Sequence, residues 1–377
     1  GRDGSAPRTH ASRFVIADRT LAYPRAEIFG RHIIDTYFLA MAYDVSHRSL
    51  EGFGLKEVAA HFGLSAPNRT YVDGDEIART YDSDPETIHR YARDDIIETR
   101  AISDLLSPSF FVQAQILPFS YQNICVRGSG TKIDSLLLRE YLHQKRSIPL
   151  PDPPREFAGG YTDIFETGVI ANVHHCDVRS LYPSIMMKDR LQPKSDEIGV
   201  FLKLLSYLRD FRVQTKQQMQ NSLSEEERTY LDALQSTFKI LINSFYGYMG
   251  FSQARFGDFE AAERVAEEGR ALLRQMIDWI RAHGGQPIEI DTDGIYFVPP
   301  ETKKEAELAR FQKEFQEWLP EGIEVEFDGR YRAMLSYKMK NYAVLDGNGE
   351  IIIKGAALKS RGLEPFQRAF VREWLRL

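Results

Sequence analysis

The sequence predicts a mixed α/β (α+β) chain, on three observations. Residues 169–178, VIANVHHCDV, carry the valines and isoleucine of a strand that ends on Asp177. Residues 290–297, IDTDGIYF, set an Asp-Gly pair between apolar runs, a strong short-range signal for a β-hairpin. Between them, residues 199–246 twice repeat apolar side chains at helical spacing, which reads as a helical hairpin.

Composition bounds the rest. A chain of 377 residues with 43% hydrophobic and 27% charged residues can bury the cores of two or three domains. No run approaches a membrane span, and the opening GRDGSAPRTH lacks the apolar core of a secretory signal. Cys125 and Cys176 form neither a disulfide framework nor a metal-ligand pattern, so a reducing cytoplasm is the expected home. The net charge of −6 lacks the basic excess usual in a DNA-binding domain.

In chain order, residues 33–39 are strand- or helix-like and residues 55–62 read as a short amphipathic helix. Residues 83–106 form a longer one, with Ile88, Tyr91, Ile96, Thr99 and Ile102 near helical period. LPDPP at 150–154 marks a boundary, and the glycines of FAGGY at 157–161 mark a turn. After Asp177, residues 180–184 break from strand into helix, with Pro183 suited to a first turn. A carboxylate there, followed by backbone N–H groups and an exposed tyrosine, suits a metal-bound triphosphate, although an Asp before a helix is more often only a cap.

The first helix of the hairpin places Phe201, Leu204, Leu205, Leu208 and Phe211 on one side and Arg209, Arg212 and Lys216 on another. Ser224 and Glu227 predict a capping box for the second helix, which buries Leu231, Leu234, Phe238, Leu241 and Phe245. Gln235, Lys239, Asn243 and Tyr246 align on its other face, and Gly247 and Gly250 end it. Cations on two antiparallel helices make a plausible triphosphate clamp. Further on come a helix over 257–282 with a stripe of Ala261, Val265, Leu272 and Ile277, the Asp-Gly hairpin, and a helix over about 302–319. Lys340 and Tyr342 precede a strand at 343–345, Lys354, Lys359 and Arg361 add basic residues, and Pro365 begins a last amphipathic helix. The hairpin turn needs one Asp before its Gly, so Asp291 is surplus to it. Two strand ends each offering aspartate suit a pair of Mg²⁺ ions, which take one or two carboxylates apiece and use substrate oxygens for the rest.

DVRSLYPSI at 177–185, KILINSFYGYMG at 239–250 and DTDG at 291–294 resemble, in order, motifs A, B and C of the family B DNA polymerases, in a spelling closest to the archaeal branch. The likeness runs from about residue 30 to about residue 362. Tyr91 and Asp95 resemble the third exonuclease motif, Tyr-x-x-x-Asp. Phe157-Ala158-Gly159-Gly160 resembles the Tyr-x-Gly-Gly template element, with a phenylalanine that lacks the hydroxyl, and Lys340-x-Tyr342 resembles the Lys-x-Tyr primer element.

The resemblance implies template-directed transfer of a nucleotide from a dNTP to a primer 3′-OH, with two Mg²⁺ ions as cofactors and primer–template DNA and dNTPs as partners. Asp177 and Asp293 would bind metal directly with the Val178 carbonyl, while Asp291 would orient the turn or stand behind the ligands. Ser180, Leu181, Tyr182, Arg212, Lys216, Lys239 and Asn243 would bind the dNTP. Gly159, Gly160, Tyr246, Gly247, Lys340 and Tyr342 would contact DNA. The implied domains are the end of an RNase H-like 3′–5′ exonuclease at 1–110, a connecting segment at 111–155, palm at 156–198 and 248–377 with an antiparallel sheet carrying Asp177 and Asp293 on adjacent strands, and fingers at 199–247. The N-terminal domain, most of the exonuclease and the thumb would be absent, leaving Tyr91 and Asp95 as a remnant in an incomplete proofreading site. A separate N-terminal or thumb polypeptide would then be a partner, and a membrane would not. The competing readings are a catalytically idle DNA-binding or assembly fragment, and a nuclease using the same acids.

Overall fold

The computed structural model describes residues 1–16, 19–47, 49–301, 305–355, 357–358 and 362–376. The chain divides into two compact units, the first of residues 1–140 and 209–241 and the second of residues 141–208 and 242–377.

In the first unit β1 (Arg8–Ile16) and β2 (Arg19–Glu27) pair as an antiparallel hairpin. The helices α1 (Thr36–His47), α2 (Leu55–His61), α3 (Ile77–Ser83), α4 (Pro85–Leu106), α5 (Pro108–Ile116), α6 (Tyr121–Ile124) and α7 (Ser129–His143) follow. Of the ambiguous run at 33–39, residues 36–39 belong to α1, where Phe38 and Met41 pack with Phe14 of the hairpin. Ala40, Leu50, Val58, Ala59 and Ile102 form a second cluster. The Asp84 side chain caps α4 by accepting from Thr87 N–H at 3.3 Å, which separates α3 from what the sequence reads as one helix. Ile96 does not join the buried stripe of α4; it is 69% exposed, and the acid Glu98 takes the interior place at 0%. An ion pair with Arg69 at 2.9 Å makes that burial tolerable.

In the second unit come β3 (Tyr161–Ile164), β4 (Gly168–Val178), α8 (Leu181–Lys188), α9 (Val200–Asn221), α10 (Glu225–Met249), α11 (Phe259–Ala282), β5 (Gln286–Thr292), β6 (Gly294–Val298), α12 (Glu305–Trp318), β7 (Val325–Lys338), β8 (Asn341–Leu345), β9 (Ile351–Lys354) and α13 (Pro365–Trp374). Residues 209–241 of α9 and α10 belong to the first unit. The strands form one antiparallel sheet of order β3-β5-β6-β4-β7-β8-β9. Val173, Ile288, Tyr296, Met334, Tyr342 and Val344 make a core on it. The stripe foreseen for α11 is buried, with Val265 at 0% and Ile277 at 3%.

The helical hairpin departs from expectation in three places. Phe211 is 36% exposed, its ring meeting Phe238 edge-on at 5.0 Å. Ser224 caps α10 by accepting from Glu227 N–H at 3.3 Å, but the Glu227 carboxylate accepts from Ser222 Oγ at 2.6 Å, so the capping box is half made. Helix α10 continues through Gly247 to Met249, because Phe245, Tyr248 and Met249 are all buried and hold that turn helical. Thr302, predicted to open a helix, and Lys359, Ser360 and Arg361 lie outside the described residues.

Candidate active site

Register brings the two strand-end acids together. Asp177 of β4 stands opposite Gly294 of β6, and Val178 N–H donates to the Asp293 carbonyl at 2.9 Å. The Asp-Gly pair is not the centre of the turn. Asp291 pairs with Gly294 across the hairpin, which leaves Thr292 and Asp293 as its loop. Thr292 has φ 70° and Asp293 N–H donates to the Asp291 carbonyl at 2.8 Å, the pattern of a tight γ-turn. Ser180 at φ 51° and Lys340 at φ 58° are also left-handed, so three non-glycine residues here hold a sparsely populated backbone conformation.

The electrostatics are those of crowded acids. Burial, then the neighbouring Asp293, pushes the Asp177 carboxyl up to about 6, with His175 opposing. Burial and Asp291 likewise raise Asp293, against His175 and Lys340. Among the described residues neither carboxylate has a basic partner within salt-bridge distance. Arg179, two residues after Asp177 in sequence, is instead paired with Glu326 and Glu324. Asp291 is occupied: Tyr342 OH donates to it at 3.0 Å, and Lys340 Nζ lies 3.7 Å away. Lys340 Nζ also donates to Thr292 Oγ1 at 2.9 Å, and its backbone N–H donates to the buried Glu289 at 2.7 Å. Both residues of the Lys-x-Tyr element thus bear on the hairpin, and Tyr342 is only 2% exposed.

A second group gathers around Tyr182. The sequence reading makes this tyrosine exposed, but it is half-buried, stacked on Tyr246 with ring centroids 4.1 Å apart and 21° between planes. A Cβ on Gly160 would stand 2.5 Å from its hydroxyl and one on Gly269 would stand 3.2 Å from its ring, so both glycines make room for it. Burial, then Tyr246, pushes its phenol up to about 12. Leu181 is buried beneath, and Ser180 opens α8. The Gly159 and Ala158 carbonyls accept from Arg270 at 2.6 and 2.8 Å, which fixes the glycine element on α11. Gly269 and Arg270 fall in a stretch whose sequence reads only as a helix, and nothing there points to a site.

The remaining predicted residues are placed separately. On the helical hairpin Lys216, Lys239, Asn243 and Gly247 are exposed and Arg212 is half-buried; Arg212, Lys216 and Lys239 belong to the first unit, Asn243 to the second. On α4, Asp95 is bonded to Arg69, whose side chain is 3% exposed, and the Tyr91 ring lies 5.6 Å from that guanidinium and 4.9 Å from Lys56 Nζ.

The acids fit a hard divalent cation. They are half-buried oxygen donors, Asp293 raises Asp177, and among the described residues neither forms a salt bridge. No group of three or more His, Cys, Asp or Glu among the described residues is arranged to hold an ion by itself. That suits Mg²⁺, which takes one or two carboxylates and completes its shell with water and substrate oxygens. Among the described residues no helix is long and apolar enough to cross a membrane.

A family model described as DNA polymerase family B matches residues 189–377, half of the sequence. The chain belongs to DNA polymerase family B. This family B chain is 30% identical over 362 residues to a DNA polymerase of Archaeoglobus fulgidus, covering 89% of the chain and 45% of the relative. It is 27% identical over 399 residues to a DNA polymerase of Thermococcus sp. (strain 9oN-7), covering 96% and 49%. The family B chain spans about half the length of the curated relatives it matches. Its fold is similar to that of the family B DNA polymerase from the hyperthermophilic archaeon Pyrobaculum calidifontis, with a TM-score of 0.69 and 22% identity over 93% of this chain and 51% of that one.

Proposed function

We propose that this chain carries the nucleotidyl-transfer site of a template-directed DNA polymerase, with primer–template DNA and dNTPs as substrates. The primer 3′-oxygen would bond to the α-phosphorus of the dNTP, and pyrophosphate would leave. The observation that carries the proposal is the pairing of β4 with β6, which sets Asp177 and Asp293 side by side with no salt bridge to either among the described residues. Two Mg²⁺ ions held by Asp177, Asp293 and the Val178 carbonyl would activate the 3′-oxygen and neutralise the triphosphate and its leaving group. Asp291, engaged by Tyr342 and Lys340, orients the turn rather than binding metal.

The other residues follow the family's division of work: palm at 156–198 and 248–377, fingers at 199–247. Ser180 and Leu181 offer backbone N–H groups to phosphate, and Tyr182 lies under the sugar. Arg212, Lys216, Lys239 and Asn243 hold the triphosphate. Gly159, Gly160, Tyr246 and Gly247 border the template and nascent pair, with Lys340 and Tyr342 at the primer end. Proofreading by these 377 residues is no part of the reading, because Asp95, at the one matching position, is already bonded to Arg69.

Primer extension with Mg²⁺, set beside a gel shift on the same duplex, tests the proposal. Extension that requires template and dNTPs is expected. A duplex that is shifted but never extended would favour an idle DNA-binding piece, and degradation without synthesis would favour a nuclease.

A further inference from the structure

His175 has no part in the proposed metal or substrate contacts, yet three features of the sheet converge on it. His175 stands two residues before Asp177 on β4, so the two side chains share a face. Towards β6 it faces Tyr296, ring centroids 4.3 Å apart, with Gly294 two pairs further along opposite Asp177. A Cβ on Gly294 would run into His175 Nε2 and would lie 3.5 Å from Asp177 Oδ1. Towards β7 the partner is Gly329, where a Cβ would stand 2.6 Å from the Tyr331 ring and 2.9 Å from His175 Cβ. Gly294 thus leaves open the space that the imidazole occupies, while Gly329 makes room for the Tyr331 ring and the His175 Cβ.

The third feature is a bulge. From His175 to Asp177 β4 advances two residues while β7 advances three, from Gly329 to Glu326. Such an extra residue re-aims a side chain. Here the bulged stretch carries Asp328, whose Oδ1 lies 2.6 Å from His175 Nδ1. The His175 side chain is 14% exposed, held by a carboxylate behind, a phenol ring beside and a glycine in front.

We propose that His175 is a positioning residue for the paired acids: anchored through Nδ1 by Asp328, its ring fills the space that Gly294 leaves open and fixes the hairpin tip, and Asp293 with it, against Asp177. The tip is a two-residue loop tied to β4 by the Val178–Asp293 backbone hydrogen bond. Without the ring a void opens beside Gly294 and the tip gains freedom. Metal sites tolerate about 0.5 Å of such freedom before they weaken. The proposal rests on the reading that Asp177 and Asp293 bind metal.

The test titrates the whole 377-residue chain with Mn²⁺, following free ion by electron paramagnetic resonance, and measures primer extension alongside. His175→Ala should weaken Mn²⁺ binding by roughly 10–100-fold and lower kcat comparably, as loss of a residue supporting metal ligands does. The KM for primer–template should move by less than about twofold, since no DNA contact is removed. Asp328→Asn, which keeps the ring but loosens its anchor, should cost less, and the double variant should be no worse than His175→Ala, because the carboxylate acts only through the ring. Wild-type Mn²⁺ affinity and kcat in His175→Ala would overturn the proposal, as would full additivity of the two substitutions. Nitrogen hyperfine coupling from His175 to bound Mn²⁺ would also overturn it, making the imidazole a ligand. Mn²⁺ affinity that is the same in wild type and Asp177→Asn would instead remove the metal reading on which the proposal stands.

Discussion

Tyr182 owes its place to what surrounds it: a parallel ring, Tyr246, on one side and two positions without side chains, Gly160 and Gly269, on the others. In the proposed position under the sugar, a ring so confined could not swing away from a 2′-hydroxyl. Tyr182→Ala should therefore raise ribonucleotide use relative to deoxynucleotide use by about 10–100-fold, the range a shaped pocket gives. Tyr182→Phe, which keeps the ring, should not, and single-turnover competition between the two nucleotides measures both. Lys239 is exposed on the same face of α10 as Asn243, one turn away. Lys239→Ala should cost roughly 10–100-fold in kcat/KM for the nucleotide, from one lost bond to a charged group, with little change in duplex affinity. A loss of duplex affinity without a kinetic change would put Lys239 on DNA.

At the scale of elements, the strand ending on Asp177 and the hairpin bearing Asp293 were legible because their chemistry is local: β-branched residues in one, an Asp-Gly pair in the other. The detail of that hairpin was not. Its positive φ falls on Thr292 rather than on a glycine, and Gly294 answers to His175 across the strand gap, a tertiary demand that no window of sequence carries. Strand β7 escaped notice although Glu326, Asp328, Arg330 and Arg332 are exposed at alternate positions along it. Its apolar positions include Gly329 and Ala333, which weaken the period-two signal. On α4 the periodic pattern favoured Ile96 over Glu98, and only Arg69, from outside the helix, reverses the choice. Removing that arginine would strand a fully buried carboxylate. Arg69→Ala should lower stability by about 3–5 kcal/mol in thermal or denaturant unfolding, whereas Arg69→Met with Glu98→Leu should recover most of the loss, because an apolar pair needs no counter-charge. Equal destabilisation in the single and double variants would contradict this account of the pair.

At the scale of the whole molecule, three motifs spread over residues 177–294 pointed to one active centre, and the sheet order β5-β6-β4-β7 brings two of them into register. The third lies on α10, whose Lys239 belongs to one compact unit and Asn243 to the other. Net charge decides little at this scale: −6 counts the paired acids against DNA binding, although acids that held metal would favour a phosphate substrate. The claim that everything else depends on is that Asp177 and Asp293 form one metal-binding pair with Asp291 behind them. Single-turnover primer extension in Mg²⁺ by Asp177→Asn, Asp293→Asn and Asp291→Asn tests it directly. The first two should lose at least about 10²–10³-fold in rate with the fold intact, as loss of a preorganised charge contact does, and the third should lose much less. Near wild-type extension by either of the first two, or an equal loss in all three, would contradict the account.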